Sequence, residues 1–225
     1  MFRYLLFDAD RTLFDFVTSE RKALQKTVES FGFEYKPEFH TIYTKMNQQV
    51  WEEFEQNLVT LEQLQVKRFT LFTEYVHLPV DPPDMNVRYV NFLSNAADFI
   101  PGAPELLQQL QGKYTLALVT NGISKVQRGR LRNTDMEKYF NAIVVSEEAG
   151  VQKPDVRYFQ YCLQKLGNPP LDQILMIGDS LSSDIQGAKN SGIKSCLLDI
   201  DRKYSGQNPV PDFVIHSLDE LWRII

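Results

Sequence analysis

Short apolar runs recur along the chain, and each gives way abruptly to polar residues. Phe2 to Phe7 runs into Asp8, Thr115 to Val119 into Thr120 and Asn121, and Ala142 to Val145 into Ser146 and Glu147. Ile174 to Ile177 runs into Gly178 and Asp179, and Cys196 to Leu198 into Asp199. A last run, Phe213 to Ile215, precedes a terminal helical stretch. Runs this short, without apolar–polar alternation, predict strands buried on both faces. Helical spacing fills most of the intervals. Pro104 to Leu110 sets Leu106, Leu107 and Leu110 on one side, behind a proline in the first turn. Val156 to Leu166 carries Tyr158, Phe159, Cys162 and Leu166, and Ser183 to Gly192 closes on a glycine stop. Strand–helix alternation over residues 101–225 predicts a Rossmann-like α/β core: a parallel sheet with right-handed crossovers.

Residues 17–95 follow a different rule, with no strand pattern. Leu24, Val28 and Phe31 keep helical spacing, as do Phe69, Phe72 and Val76. Thr60-Leu61-Glu62-Gln63 is a capping-box pattern opening one of these helices, and Asp81-Pro82-Pro83-Asp84 reads as the loop before another. The expected organisation is a discontinuous α/β core, residues 1–16 and 96–225, with an all-helical cap domain, residues 17–95, inserted after the first strand.

Composition narrows the class. The 225 residues are 43% hydrophobic and 24% charged, which excludes disordered and collagen-like chains. Lys and Arg number 24 against 29 Asp and Glu, a formal net charge of -5. That balance argues against a broad nucleic-acid surface, whereas a small phosphorylated ligand needs only a few local cations. No run of about 18 apolar residues occurs, so no transmembrane helix is expected. The N-terminal apolar stretch is too short for a signal-peptide core. Cys162 and Cys196 match no metal spacing, and two buried thiols in a reducing cytoplasm are expected. His40, His77 and His216 match none either, which points any metal toward oxygen ligands.

In an open parallel sheet, ligands bind beyond the carboxyl ends of the strands, so the residues just after each run carry the chemistry. Asp8 and Asp10 are two apart. On extended chain that spacing points both carboxylates one way, and their repulsion favours a hard cation such as Mg²⁺. Thr120-Asn121-Gly122 offers a hydroxyl and backbone amides to an anion. Lys153, ahead of Pro154, can reach back to the strand ends. Asp179 sits at a strand tip, and Asp184 lies near the first turn of the next helix, where the dipole favours acids. Each of these alone also reads as ordinary turn or cap chemistry, with Ser182 or Ser183 capping that last helix. Together they give successive strand ends two carboxylates, a hydroxyl with amides, a lysine, and two further carboxylates. Random turns would rarely produce that order.

The order resembles that of the haloacid dehalogenase superfamily of phosphotransferases, over essentially the whole chain. Asp8-Ala9-Asp10-Arg11-Thr12 looks like its first motif, Thr120-Asn121-Gly122 its second, Lys153-Pro154 its third, and Gly178-Asp179 to Asp184 its fourth. The helical insertion is similar to the family's first type of cap. Within the superfamily, Phe7-Asp8-Ala9-Asp10 and the segment from Ser146 to Pro154 look like the bacterial pyrimidine 5′-nucleotidase branch. Arg11 stands where many members have glycine, which leaves open whether it touches substrate.

The resemblance implies a Mg²⁺-dependent phosphatase. Asp8 would be the nucleophile that forms an aspartyl phosphate, and Asp10 the general acid and base. Asp8, Asp179 and the backbone carbonyl of Asp10 would hold the metal, with Asp184 one step behind as a partner of the metal or of the lysine. Thr120, Asn121 and Gly122 would bind phosphoryl oxygens, and Lys153 would offset charge on the nucleophile and the phosphoryl group. Asp10 favours ester hydrolysis over dehalogenation, because a halide leaves without needing a proton. The cap would set substrate choice. Asn47 and Trp51 are four apart on one helix face, and a base could stack on Trp51 or Phe14 while Asn47 hydrogen-bonds to it. The expected partner is a small phosphorylated metabolite, foremost a nucleoside monophosphate. Neither a nucleic-acid polymer nor a membrane is expected as a partner, and the chain would act as a monomer or small homo-oligomer. A sugar-phosphate phosphatase or phosphomutase with the same core is one competing reading. A non-catalytic binding protein that kept the fold is another.

Overall fold

The computed structural model describes residues 1–225. Its strands are β1 (Tyr4–Phe7), β2 (Thr115–Thr120), β3 (Ala142–Val145), β4 (Ile174–Gly178), β5 (Lys194–Leu198) and β6 (Phe213–Ile215). All neighbours pair in parallel, in the order β3-β2-β1-β4-β5-β6. The first strand in sequence therefore lies inside the sheet, with Leu6 opposite Ala117 on one side and Met176 on the other. Alternate side chains enter two different cores. Leu5, Phe7, Leu116, Leu118, Leu175 and Ile177 join one layer, and Leu6, Ala117, Val119, Val144 and Met176 the other. Burial on both faces explains the apolar runs.

Helices cover both layers. α1 (Phe16–Ser30), α2 (Glu38–Glu55), α3 (Leu61–Val76) and α4 (Pro82–Ser94) follow β1. After them come α5 (Ala103–Leu110), α6 (Ser124–Asn133), the single turn α7 (Ser146–Ala149), α8 (Val156–Lys165) and α9 (Gln186–Asn190). Leu106, Leu107 and Leu110 of α5 seal the first core, and Tyr158, Phe159 and Cys162 of α8 the second. The chain divides into two compact units, one of Met1–Phe16 with Ala97–Ile225 and one of Val17–Ala96.

The second unit is all-helical, with an aromatic centre of Tyr43, Phe69, Phe72 and Tyr89. A polar network runs through it. Glu20, buried on α1, accepts from Thr44 at 2.8 Å and from the Asn47 amide at 2.9 Å. Buried Arg68 donates to Asn47 and Asn86, and its guanidinium lies 5.1 Å and 5.0 Å from the ring centres of Phe69 and Tyr89. Such contacts partly replace the water that a buried cation loses.

The elements depart from the sequence-based expectation at several places. Pro82 to Asp84, expected in the loop before a helix, form the first turn of α4, which Asp81 caps. Hydrophobic period gives no sign of α6, because its inward face carries Gln127, Gly129 and Arg130 beside only Val126 and Leu131. The helix expected from Ser183 starts as a wide π turn, Leu181–Ile185, before α9. Its cap is Ser180, whose side chain accepts from the Ser183 amide, rather than Ser182 or Ser183. The C-terminal stretch is a 3₁₀ helix, Leu218–Arg223. Both cysteines are free and buried, and burial pushes each thiol up to about 12. No helix is long and apolar enough to cross a membrane.

The capping box at Thr60 is present. Its hydroxyl accepts from the Gln63 amide at 3.2 Å, while the Gln63 side chain accepts from the Thr60 amide at 2.9 Å. Thr60→Ala is expected to lower stability by about 1 kcal/mol. Urea denaturation followed by circular dichroism measures this; an unchanged midpoint would show that the cap contributes nothing.

Candidate active site

The strand order reverses direction at β1 and β4, which makes the crevice beyond their carboxyl ends the topological switch point. Asp8 follows β1 and Asp179 follows β4. Lys153, from the loop between α7 and α8, reaches the same place. Its ammonium donates to Asp8 Oδ1 at 2.6 Å, to Asp184 Oδ1 at 2.6 Å and to the Val119 carbonyl at 3.0 Å. All three of its donors are used, and the residue is 1% exposed. Burial opposes its charge, but Asp184 and Asp8 outweigh that and hold it above the ordinary lysine value.

Oxygens of Asp8, Asp179 and Asp184 lie within 4.8 Å of one another. Three carboxylates against the Lys153 ammonium and the half-exposed Arg11 guanidinium leave an excess of negative charge. Its signature is in the acids: burial, reinforced by Asp184 and Asp179, raises Asp8 well above the usual carboxylate range despite Lys153. Burial and the charge of Asp184 push Asp179 up to about 7, against the pull of Arg11 and Lys153. An all-oxygen, over-negative cluster fits a hard divalent cation such as Mg²⁺, not a softer metal. The histidines serve elsewhere. His77 ends α3 in the left-handed conformation, His40 lies near Glu20, and His216 bonds the Asp199 carbonyl.

Two further features fix the lysine. Asn121 accepts from the Lys153 amide and donates to the Lys153 carbonyl, each at 2.9 Å, so it clamps that backbone as a peptide neighbour would. Gly178 has no side chain because a Cβ there would overlap the Asp184 carboxylate. Asp184 also accepts from the Ser180 amide at 3.1 Å. The structure thus makes Asp184 the lysine's partner. In the Thr120 turn, the Gly122 amide already donates to Thr120 Oγ1 at 3.0 Å.

Asp8 and Asp10 part company, contrary to the expectation from extended-chain spacing. Strand pairing ends at Phe7, and the chain then turns, with Leu13 and Phe14 both donating to the Ala9 carbonyl and Arg11 at φ 62°. The Asp10 carboxylate is accordingly outside the acidic trio. It accepts from Gln127 at 2.7 Å and pairs with Arg130, both on α6. Sequence reasoning missed these two residues; the available signal was their i, i+3 spacing just after Thr120-Asn121-Gly122. Arg11 also finds partners, donating to Asp179 at 2.8 Å and to Asp201 at 3.4 Å.

The residues expected to meet substrate have mixed surroundings. Asn47 is buried, and its amide is spent on Glu20 and Arg68 inside the helical unit. Phe14 is buried, stacked on Phe99 at 5.3 Å, with the Arg130 guanidinium 4.6 Å from its ring centre. Trp51 is half-buried, edge-on to Phe54.

Comparison with known proteins places this geometry in context. The sequence model of a family described as haloacid dehalogenase-like hydrolase matches residues 5–198. Pyrimidine 5′-nucleotidase YjjG of Escherichia coli is 33% identical over 222 residues, covering 99% of this chain and 97% of that protein. Pyrimidine 5′-nucleotidase PynA of Streptococcus pneumoniae is 30% identical over 221 residues, 98% of this chain and 93% of that one. The crystal structure of the HAD-hydrolase YfnB of Bacillus subtilis, bound to magnesium, superposes with a TM-score of 0.94 at 33% identity, over 99% and 98% of the two chains.

Removing the lysine leaves buried carboxylates uncompensated. Lys153→Met is expected to destabilise the metal-free protein by about 3–5 kcal/mol, the usual cost of breaking a buried ion pair on one side. Urea unfolding in EDTA measures it. A loss below about 1 kcal/mol would mean the pairing contributes little more than an exposed salt bridge does.

Proposed function

This chain belongs to the haloacid dehalogenase-like hydrolases, and from that membership we propose that it is a Mg²⁺-dependent phosphatase acting on pyrimidine nucleoside 5′-monophosphates. The observation that carries the reading is the meeting of Asp8, Lys153, Asp179 and Asp184 at the switch point, with a second acid, Asp10, two residues from the first. The nucleotide preference is supported by the relatives named pyrimidine 5′-nucleotidases, whose similarity spans nearly the whole chain and so includes the helical unit.

Asp8 attacks phosphorus, forming an aspartyl phosphate as the ester P–O bond breaks. Asp10 gives a proton to the departing alkoxide, then takes one from the water that cleaves the acyl phosphate. Lys153 stays bound to Asp8 and Asp184 throughout and offsets the charge that gathers there. The Thr120 hydroxyl and the Asn121 amide receive phosphoryl oxygens. Gly122 contributes by shaping the turn, since its amide serves Thr120. Mg²⁺, when bound by Asp8, Asp179 and the Asp10 carbonyl, supplies the positive charge that lets an anionic nucleophile meet an anionic phosphate. Asn47 and Phe14 act by supporting their own units.

Phosphate release from a panel of nucleotides and sugar phosphates tests the reading. Pyrimidine monophosphates are expected to lead in kcat/KM by at least about tenfold, the equivalent of 1.4 kcal/mol. Parity with sugar phosphates would overturn the nucleotidase assignment, and no release from any ester would favour a binding protein. Asp8→Asn is expected to abolish turnover with the circular dichroism spectrum unchanged; retained turnover would remove Asp8 as nucleophile. Mg²⁺ is expected to raise the melting temperature of the native chain, as any ligand of the folded state does, and to do so far less in Asp179→Asn. Equal shifts in the two proteins would place the ion elsewhere.

A further inference from the structure

The helix that sequence periodicity missed carries a feature that stability does not explain. Gln127 and Arg130, on one face of α6, are 1% and 0% exposed. Each takes one oxygen of Asp10, Gln127 donating to Oδ2 and Arg130 to Oδ1. Arg130 has no partner for Nε or Nη1, and Gln127 has none for Oε1. A guanidinium sealed from water with one hydrogen bond is a costly way to hold a helix, and apolar residues of similar volume usually do it as well or better. The Phe14 ring, 4.6 Å away, offsets part of that cost.

The surroundings are shaped around this contact. Gly122, in the turn that leads into α6, lacks a side chain where a Cβ would overlap the Gln127 amide. Phe14, on the turn that follows Asp10, is the surface against which Arg130 lies. The Asp10 side chain keeps about a quarter of its surface open, at 27%, while each of its oxygens has a donor on α6.

We infer that Gln127 and Arg130 are positioning residues that hold the Asp10 carboxyl in one orientation, so that proton transfer to the leaving group starts from a fixed geometry. The inference rests on the reading of Asp10 as the general acid. It requires that loss of either donor hurt esters whose leaving group needs a proton and spare those whose leaving group does not. Disruption of the fold would lower both alike.

The experiment compares kcat/KM for an alkyl ester, a nucleoside 5′-monophosphate, with that for an aryl ester, p-nitrophenyl phosphate, whose phenolate departs unassisted. kcat/KM is the right quantity because it stops at the first irreversible step and excludes the later attack of water. Arg130→Met is expected to lose about 10- to 100-fold on the alkyl ester and at most about threefold on the aryl ester, the scale of a misplaced catalytic group. Arg130→Lys is expected to recover part of that loss. Gln127→Ala should show the same selectivity with a smaller loss, and it carries the test if circular dichroism shows Arg130→Met unfolded. Asp10→Asn is the reference, expected to lose about 10²- to 10⁴-fold selectively on the alkyl ester. Equal losses on both esters in the α6 variants, with Asp10→Asn selective, would overturn the inference and leave Asp10's role intact. An unselective Asp10→Asn would instead overturn the role of Asp10 itself.

Discussion

A buried ammonium sets the terms for this molecule. Lys153 is surrounded by two carboxylates and a strand carbonyl, with almost no access to water. Neither sign of charge is tolerable there alone. The acids need the lysine, the lysine needs the acids, and the residues come from segments far apart in sequence. The sheet must therefore bring the ends of β1, β2 and β4 together before any of these charges is stable. The Asn121 clamp on the Lys153 backbone and the bare α-carbon of Gly178 follow from the same demand, one aiming the lysine and the other making room for its partner. What remains after pairing is surplus negative charge, and that surplus makes the crevice receptive to a cation.

Arginine is handled by a common device in both units. Arg68 and Arg130 are fully enclosed, and each lies against aromatic faces while its hydrogen bonds go to a few chosen oxygens. In the helical unit those oxygens belong to Asn47 and Asn86, and Asn47 in turn serves Glu20. In the α/β unit the oxygen belongs to Asp10. An aromatic ring can replace part of a hydration shell without supplying a competing acceptor. Each guanidinium is thus left to act only on the few oxygens that it bonds.

Legibility in the sequence followed burial. Strands closed in on both faces read plainly as apolar runs, and β3 and β6 agree with their runs to the residue. The acids and the lysine were legible because a parallel sheet puts its chemistry where such runs stop. α6 was illegible for the opposite reason: its inward face is Gln127, Gly129 and Arg130, so hydrophobic period carries no signal there. Asp8 and Asp10 share a direction only if strand geometry continues past Phe7, and the backbone turns just beyond it, with Leu13 and Phe14 both donating to the Ala9 carbonyl. Asn47 looked available for a ligand because a helix face can be read from spacing, whereas a partner such as Glu20, 27 residues away, cannot. In each case the missing information was tertiary.

The position of β1 has a consequence for biosynthesis. This strand leaves the ribosome well before either of its neighbours, both of which lie beyond residue 114. Residues 17–96, by contrast, form a compact unit from one continuous stretch of chain. Vectorial synthesis would let the helical segment consolidate early, while Leu5, Leu6 and Phe7 wait unpaired until β2 and then β4 have been translated. Non-local closure of that kind is the slow part of forming a parallel sheet, so the nascent chain has a long interval in which this apolar strand is unshielded.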